Sequence, residues 1–403
     1  MLLEILVAAV LGVCAGSVTG LIPGIHVNLV GVYLVSFSLV LIKNFNPLFV
    51  AVFVVAMGLT HTFVDVLPAV FLGAPSPGTS LLVLPAHRLL SRGYGYEAVR
   101  MATIGGLISV LILSLFSPLV CFVLKHAYPV LELFMGQILL CFIAFFILRN
   151  HTWRKRFWAL VVFLLSGTLG LIVLNSPCFK QPIFPMLTGL FGISLLMRCL
   201  FIRSEIGKQF VSEDLSLPPT ALIKSVLGAN IGGLITGIFP GIGSAQAAIL
   251  GKSIFRHLGT LGFIVLNGGV NTINFFVSLF TLQIVGKARN GAVLTLKHFI
   301  PLLSLKHLVL FVFVVLFASG LSCILVLVYA KLFCRLVNVV NYRLLSLGVI
   351  ILLLFFTLRF SGLLGILVLL VGSAIGLIPN IMGVGKSNCM GCVLLPVLIY
   401  FLL

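Results

Sequence analysis

The stretch Gly16-Ser-Val-Thr-Gly-Leu-Ile-Pro-Gly-Ile-His-Val-Asn-Leu-Val-Gly31 interrupts an otherwise apolar N-terminal run. Its Pro23-Gly24 pair removes a backbone donor and a helix-favouring side chain at adjacent positions, which predicts a broken helix. In hydrocarbon the freed backbone groups need partners, so such a break is tolerated only against protein or a wet cavity. Thr19, His26 and Asn28 flank the break with polar groups able to line a cavity. The pattern returns in Gly232-Gly-Leu-Ile-Thr-Gly-Ile-Phe-Pro-Gly-Ile-Gly-Ser-Ala-Gln246, where Pro240 stands 217 residues after Pro23. Thr236 and Gly237 repeat Thr19 and Gly20 in the same register. Interrupted apolar segments at matching places in two halves point to the binding site of a secondary transporter. A kinked packing helix, preserved by duplication, is the plainer alternative.

Of the 403 residues, 61% are hydrophobic and 8% charged, with a mean hydropathy of +1.31. Soluble domains carry about 25% charged residues. The chain therefore reads as an all-α, polytopic integral membrane protein of the cell membrane, surrounded by lipid bilayer. At roughly 20 apolar residues per span it holds about 10–12 helices, some short or broken. The net charge of +18 comes from 25 Lys and Arg against 7 Asp and Glu. These bases are scattered at predicted helix ends, as headgroup anchors are, and form no nucleic-acid surface. Glu4 and the lack of a basic leader predict no cleaved signal peptide. Among nine cysteines, Cys389-Met-Gly-Cys392 is the one CxxC and reads as membrane helix rather than a metal or redox centre. No Walker loop, zinc motif or nucleophile–His–acid spacing stands out, so the expectation is a non-enzyme with no catalytic residues, metal or cofactor beyond a coupling ion.

Two homologous halves are expected, residues 1–201 and 220–403, joined by a polar connector at 202–219. Regular helices are expected at about 101–124, 131–148, 157–174 and 183–201, then at 307–330, 344–358, 361–378 and 389–403. Ser166-Gly-Thr-Leu-Gly-Leu-Ile172 and Gly372-Ser-Ala-Ile-Gly-Leu-Ile378 form a second matched pair. Loops 88–100, 149–156 and 198–224 are basic, which places them in the cytoplasm. The bias is swapped between counterpart loops of the two halves, as an inverted repeat requires. Lys287, Arg289, Lys297 and Lys306 then fall on the opposite side, against that bias.

The densest polar stretch is His61-Thr-Phe-Val-Asp65 with Gly73-Ala-Pro-Ser-Pro-Gly-Thr-Ser80, read as a partly re-entrant, non-helical segment over 61–85. Within it Pro75, Ser76, Gly78, Thr79 and Ser80 offer hydroxyls and carbonyls, either to a substrate or cation or to a buried structural loop. An ionisable group at mid-bilayer costs about 2.5–3.5 kcal/mol, which makes Asp65 a functional candidate. It carries a coupling proton or helps bind Na⁺, with His61 as a second titratable group; alternatively Asp65 pairs with His61 or caps the irregular segment. In the second half Asn267, Asn271 and Asn274 stand where a matching acid is absent. Helix starts exposed beyond each break present free amides and a positive dipole end, suited to an anionic group. His26 and Asn28 past the first break, and Gly243, Ser244 and Gln246 past the second, occupy those places, while Gly20, Gly24, Gly237 and Gly241 belong to the break motifs as further candidate binding positions.

Thr19-Gly-Leu-Ile-Pro-Gly24 and Thr236-Gly-Ile-Phe-Pro-Gly-Ile-Gly243 resemble the two Pro-Gly motifs of the TctA family, the large membrane permease of tripartite tricarboxylate transporters. Gly73 to Ser80, continuing through Pro85 to Arg92-Gly93 and Ala98, resembles that family's Pro-Gly-rich loop, and Leu187-Thr-Gly-Leu-Phe-Gly192 is similar to its mid-chain motif. A short chain, His26-Val-Asn28 after the first break, and no acid over 267–274 resemble a divergent, stand-alone branch. The resemblance implies a secondary transporter for a small organic anion, a carboxylate, coupled to H⁺ or Na⁺. It also implies a small membrane subunit and an extracytoplasmic binding protein as partners; a homodimer is a further expectation. Translocation of polyprenyl-phosphate or another anionic lipid is the alternative transport reading. A membrane scaffold or embedded enzyme, the remaining class, predicts a dry apolar interface between the breaks.

Overall fold

A computed structural model describes residues 2–23, 27–74, 76, 78–179, 181–194, 196–197, 207–212, 214–339 and 342–402. No strand occurs among them. α1 (Leu2–Leu21) stops before Pro23, and α2 (Val27–Ser36) and α3 (Ser38–Asn44) lead to α4 (Pro47–Val64). Asn46 caps α4 by accepting from Leu48 N, and Pro47 sits in the first turn, where its missing N–H costs nothing. There follow α5 (Val83–Leu90), α6 (Gly95–Leu115), α7 (Ser117–Leu133), α8 (Met135–Leu148), α9 (Trp153–Asn175) and α10 (Ile183–Leu187), the last running on through a π-turn at Thr188–Ile193. After the connector come α11 (Pro219–Ile238), α12 (Ser244–Ile254), α13 (Gly259–Val285), α14 (Gly291–Phe299), α15 (Leu305–Val339), α16 (Tyr342–Met382) and α17 (Gly391–Leu402). Among the described residues eight helices are long and apolar enough to cross a bilayer, and α7 with α8, bent by 84°, makes a ninth candidate. The chain is an all-α, multi-pass membrane protein.

Several boundaries differ from expectation. The segment 61–85 stays helical to Leu72, because a π-turn at Pro68–Leu72 absorbs Pro68 in its first turn; the chain breaks only at Gly73, with φ +65°. The helix expected over 101–124 divides at Phe116, where Pro118 opens α7. The helices expected at 344–358 and 361–378 are two, as expected, but follow each other without a loop: the run Tyr342–Met382 is broken by non-helical backbone at Gly362 alone, φ +68°. The connector is no solvated tether in its described part. Gln209 is buried, donating Nε2 to Leu90 O at 2.7 Å and accepting Gly95 N at 3.0 Å. Its own N–H donates to Asn338 Oδ1 at 2.8 Å. Glu97 and Arg100 clasp the backbone of Leu215 between them.

Close contact between backbones sets the helix directions. Gly12, Gly16 and Gly20 share one face of α1. A Cβ at Gly12 or Gly16 would stand 2.5 Å from the carbonyl oxygen of Phe53 or Met57, and one at Gly20 would stand 2.7 Å from Val64 Cβ. Rising numbers meet rising numbers, so α1 and α4 run parallel. Gly228, Gly232, Gly233 and Gly237 set α11 parallel to α13 in the same way, against Leu266, Val270, Ile273 and Val277. Phe275 over Gly58 and Asn271 bonded to Thr62 make α13 antiparallel to α4. The α4 start shares a cavity with Leu302 and His307, so α1, α4 and α15 begin at one face. Asn338 at the far end of α15 holds the connector beside the starts of α6 and α11, so those helices begin at the opposite face. The last helices interlock: Gly170 of α9 abuts Cys392 O of α17, and Gly376 of α16 abuts Leu190 O.

Gly16→Val forces a branched side chain onto the Met57 carbonyl and is expected to cost about 1–3 kcal/mol. Gly320→Ala on α15, with nothing within 4 Å of the added carbon, should stay within about 0.5 kcal/mol of wild type. Thermal unfolding of the detergent-solubilised protein compares the two.

Candidate functional site

Asp65 follows α4 directly and lies inside the 26-residue apolar span Pro47–Leu72, where its side chain is buried. Its Oδ2 accepts from Ser76 Oγ at 2.7 Å and its Oδ1 from Asn271 Nδ2 at 3.0 Å. The same Asn271 amide donates to Thr62 O at 3.0 Å, at a helix end that leaves carbonyls unsatisfied. The turn that presents Ser76 is tied by Thr79: Ser76 N donates to Thr79 Oγ1 at 3.0 Å, and the two hydroxyls lie 3.1 Å apart. Gly78 lies against Asn271 Oδ1, where any Cβ would collide, with Ser244 Oγ next to it. Asn274, one turn along α13, donates to Ser244 Oγ at 3.1 Å. Asp65, Thr79, Asn271 and Ser244 are buried, whereas Ser76, Gly78, Asn274 and Gly243 are part-exposed. The cluster is therefore polar at its base and open at its rim.

The second helix break meets this cluster. α11 ends at Ile238, Gly241 takes φ +81°, a conformation glycine adopts freely, and α12 starts at Ser244. Arg289 serves the α11 end, donating Nε to Gly237 O at 3.1 Å and Nη2 to Ile238 O at 2.9 Å. The guanidinium thus satisfies two orphaned carbonyls and faces the negative end of the helix dipole. Tyr128 Oη, 2.8 Å from Nη2, orients it. On the α12 side, Gln246 Oε1 accepts Gly243 N at 3.0 Å, while its Nε2 is buried with no hydrogen-bond partner. A buried donor left over at a helix start is a place where an acceptor gains.

The structure brings together Asp65, Ser76, Gly78, Thr79, Ser244, Asn271 and Asn274. Ser80 is buried on the same turn. Pro23, Pro240, Gly241 and Gly243 lie part-exposed at the two breaks. Thr19 donates to Gly16 O at 3.1 Å and meets His61 Nδ1 at 3.1 Å, so His61 bridges α1 and α4 one turn before Asp65. Thr236 Oγ1 donates within its own helix, to Gly233 O at 2.6 Å. Gly20 and Gly237 are close-packing positions against Val64 and Val277. Asn267 sits apart, fully buried in α13 with neither amide atom partnered. Gly24, His26 and Pro75 lie outside the described residues, as does the side chain of Asn28. Cys389 and Cys392 pack in an apolar cluster with Met390 and Leu394.

Arg289 and Thr62 are site residues that sequence reasoning did not single out. A signal for Arg289 existed: a helix broken at Pro240 demands a donor for its last carbonyls, and Arg289 is a cation at the end of the next long apolar stretch. Lys287 beside it pairs with Glu132.

A family model described as the Tripartite tricarboxylate transporter TctA family matches residues 6–391. An uncharacterized protein of Methanocaldococcus jannaschii is 29% identical over 402 residues, with 98% of each chain covered. No solved structure matches.

Asn271→Ala removes the donor shared by Asp65 and Thr62 O, and is expected to destabilise the protein by about 1–3 kcal/mol. Arg289→Met uncovers the carbonyls of Gly237 and Ile238 and should speed amide hydrogen exchange in the last turn of α11 while sparing its first turns. Thermal unfolding reads the first variant and exchange mass spectrometry the second.

Proposed function

The chain belongs to the TctA family of tripartite tricarboxylate transporters, and from that premise we propose that it is a secondary transporter for a small organic anion, a carboxylate, coupled to H⁺ or Na⁺. One observation carries the reading: Asp65 and the Ser76–Thr79 turn of the first half meet Asn271 of the second, with Ser244, bonded to Asn274, next to Gly78 at a helix break. The substrate carboxylate binds at the start of α12, where the dipole is positive and Gln246 Nε2 offers an unused donor. The coupling ion binds at Asp65, among the oxygens of Ser76, Thr79 and Asn271, or as a proton on the carboxylate.

Proximity of the two sites supplies the coupling. Like charges repel in inverse proportion to their distance, and more strongly in an effective dielectric of about 20 than in water. An ionised Asp65 therefore opposes the arriving carboxylate, and a cation or proton on Asp65 removes that opposition; by linkage the anion strengthens cation binding equally. Movement follows from the direction of the helices. α1 and α11 differ by 217 residues at both ends, as do the starts of α2 and α12, and α1 and α11 enter from opposite faces. This pattern supports an inverted repeat, whose halves exchange conformations to open the site to either side. Lys287 and Arg289 bear less on orientation than their charge suggests, since Glu132 and helix carbonyls already engage them. Family membership extends the proposal to a small membrane subunit and an extracytoplasmic binding protein as partners.

Proteoliposome uptake of labelled di- and tricarboxylates, with and without a Na⁺ or pH gradient, tests the proposal. Wild type is expected to accumulate at least one of them only with a gradient. Asp65→Asn, which keeps the shape and loses the charge, should bind or exchange the anion without responding to the gradient. Absence of uptake for every carboxylate, together with flipping of a polyprenyl phosphate in the same vesicles, would transfer the site to the lipid alternative.

A further inference from the structure

A cavity of about 410 Å³ opens where the start of α4 meets the turn between α14 and α15. That volume lies within the range of about 300–1,000 Å³ typical of small-molecule sites. Pro47, Leu48, Phe299, Ile300 and Leu302 give it an apolar lining, and His307 stands at its edge. It is open, and continuous with the lipid-facing surface: Leu302 is 88% exposed and Leu305 61%. The segments that build it are one-sided in charge. Residues 27–48 and 291–309 contain Lys43, Lys297 and Lys306 and no Asp or Glu. Each lysine is exposed and lies within a few positions of a lining residue.

These lysines need a reason of their own. The basic loop at 88–100, with Lys331 and Arg335 near the far end of α15, marks the opposite face, beside the starts of α6 and α11, as the one favoured by the positive-inside bias. Lys287 and Arg289 are spoken for by Glu132 and by the α11 carbonyls. Lys43, Lys297 and Lys306 have no ion pair among the described residues. An apolar groove open to lipid and bordered by uncompensated ammonium groups matches one molecule present at that depth. We propose that this groove holds an anionic phospholipid of the surrounding leaflet, an acyl chain lying against Leu48 and Phe299 and the phosphate held by Lys43, Lys297 and Lys306. Lysines beside an anionic headgroup strengthen its binding over that of a zwitterionic one, and salt screens the gain.

Native mass spectrometry of the delipidated full chain, titrated with phosphatidylglycerol or phosphatidylcholine of identical acyl chains, tests this. Wild type should retain phosphatidylglycerol about tenfold more tightly, and raised salt should erode the difference. The triple variant Lys43→Gln, Lys297→Gln, Lys306→Gln should lose the preference, and the corresponding triple arginine variant should keep it. Leu48→Trp, which fills the groove and leaves the lysines in place, should weaken retention of both lipids. Equal retention of the two lipids by wild type overturns the proposal without reference to any variant. So does displacement of the lipid by soluble glycerol phosphate at the same concentration, or a second copy of the chain occupying the groove as a dimer that excludes lipid.

Discussion

A helix that stops within hydrocarbon leaves carbonyls without partners at its end and amides without partners at the start of the next, and no solvent is present to take them. The rest of this structure depends on how those groups are answered. At the second break one arginine from the loop between α13 and α14 takes two carbonyls, and a glutamine from the new helix takes an amide. At the end of α4 an asparagine from the opposite half takes a carbonyl and a carboxylate with the same amide group. The glutamine answers locally, but Asn271 reaches from one half to the other, and Arg289 is itself held by Tyr128 of the first half, so the halves are pinned together near both interruptions.

Glycine makes this geometry attainable. The helices carrying the polar groups approach until the backbone of one nearly touches the next, as at Gly16 on Met57 and Gly105 on Val265. With no hydrophobic drive between helices in lipid, such contact and the hydrogen bonds it permits supply the cohesion. A side chain at Gly78 would push the Pro-Gly turn off Asn271, and with it the hydroxyl that meets Asp65. The polar cluster and the glycine faces are thus one construction.

Much of this was legible in the residues alone. The break at Pro240-Gly241 and the irregular turn around Ser76 follow from what proline and glycine do in an apolar chain, and Asp65 stood out as an acid there. The family resemblance rests on the same Pro-Gly patterns. What could not be read was which distant groups meet. Asn271 and Asn274 stood out as amides in an apolar helix, but nothing local says that one finds Asp65 and the other Ser244, or that Asn267 finds neither. The π-turn at Pro68 was hidden because proline usually ends a helix, and here a wider turn takes it in. Gln209 looked like part of a polar linker because burial depends on Leu90, Gly95 and Asn338, which lie far away in sequence.

The two halves match in their breaks but differ in charge, and that difference has a physical consequence. Asp65 sits in the first half, while the nearby second-half helix offers asparagines. Two acids meeting at this depth would repel each other and hold a proton or a cation permanently between them. One acid against an asparagine is different: the amide donates to the carboxylate and steadies it, yet keeps its own oxygen facing the Ser76–Gly78 turn. A single carboxylate with neutral oxygen neighbours has modest affinity for a cation, and that affinity is open to change by a second charge arriving nearby. Weak, adjustable binding of this kind is what a site must have if it is to load on one side of a membrane and empty on the other.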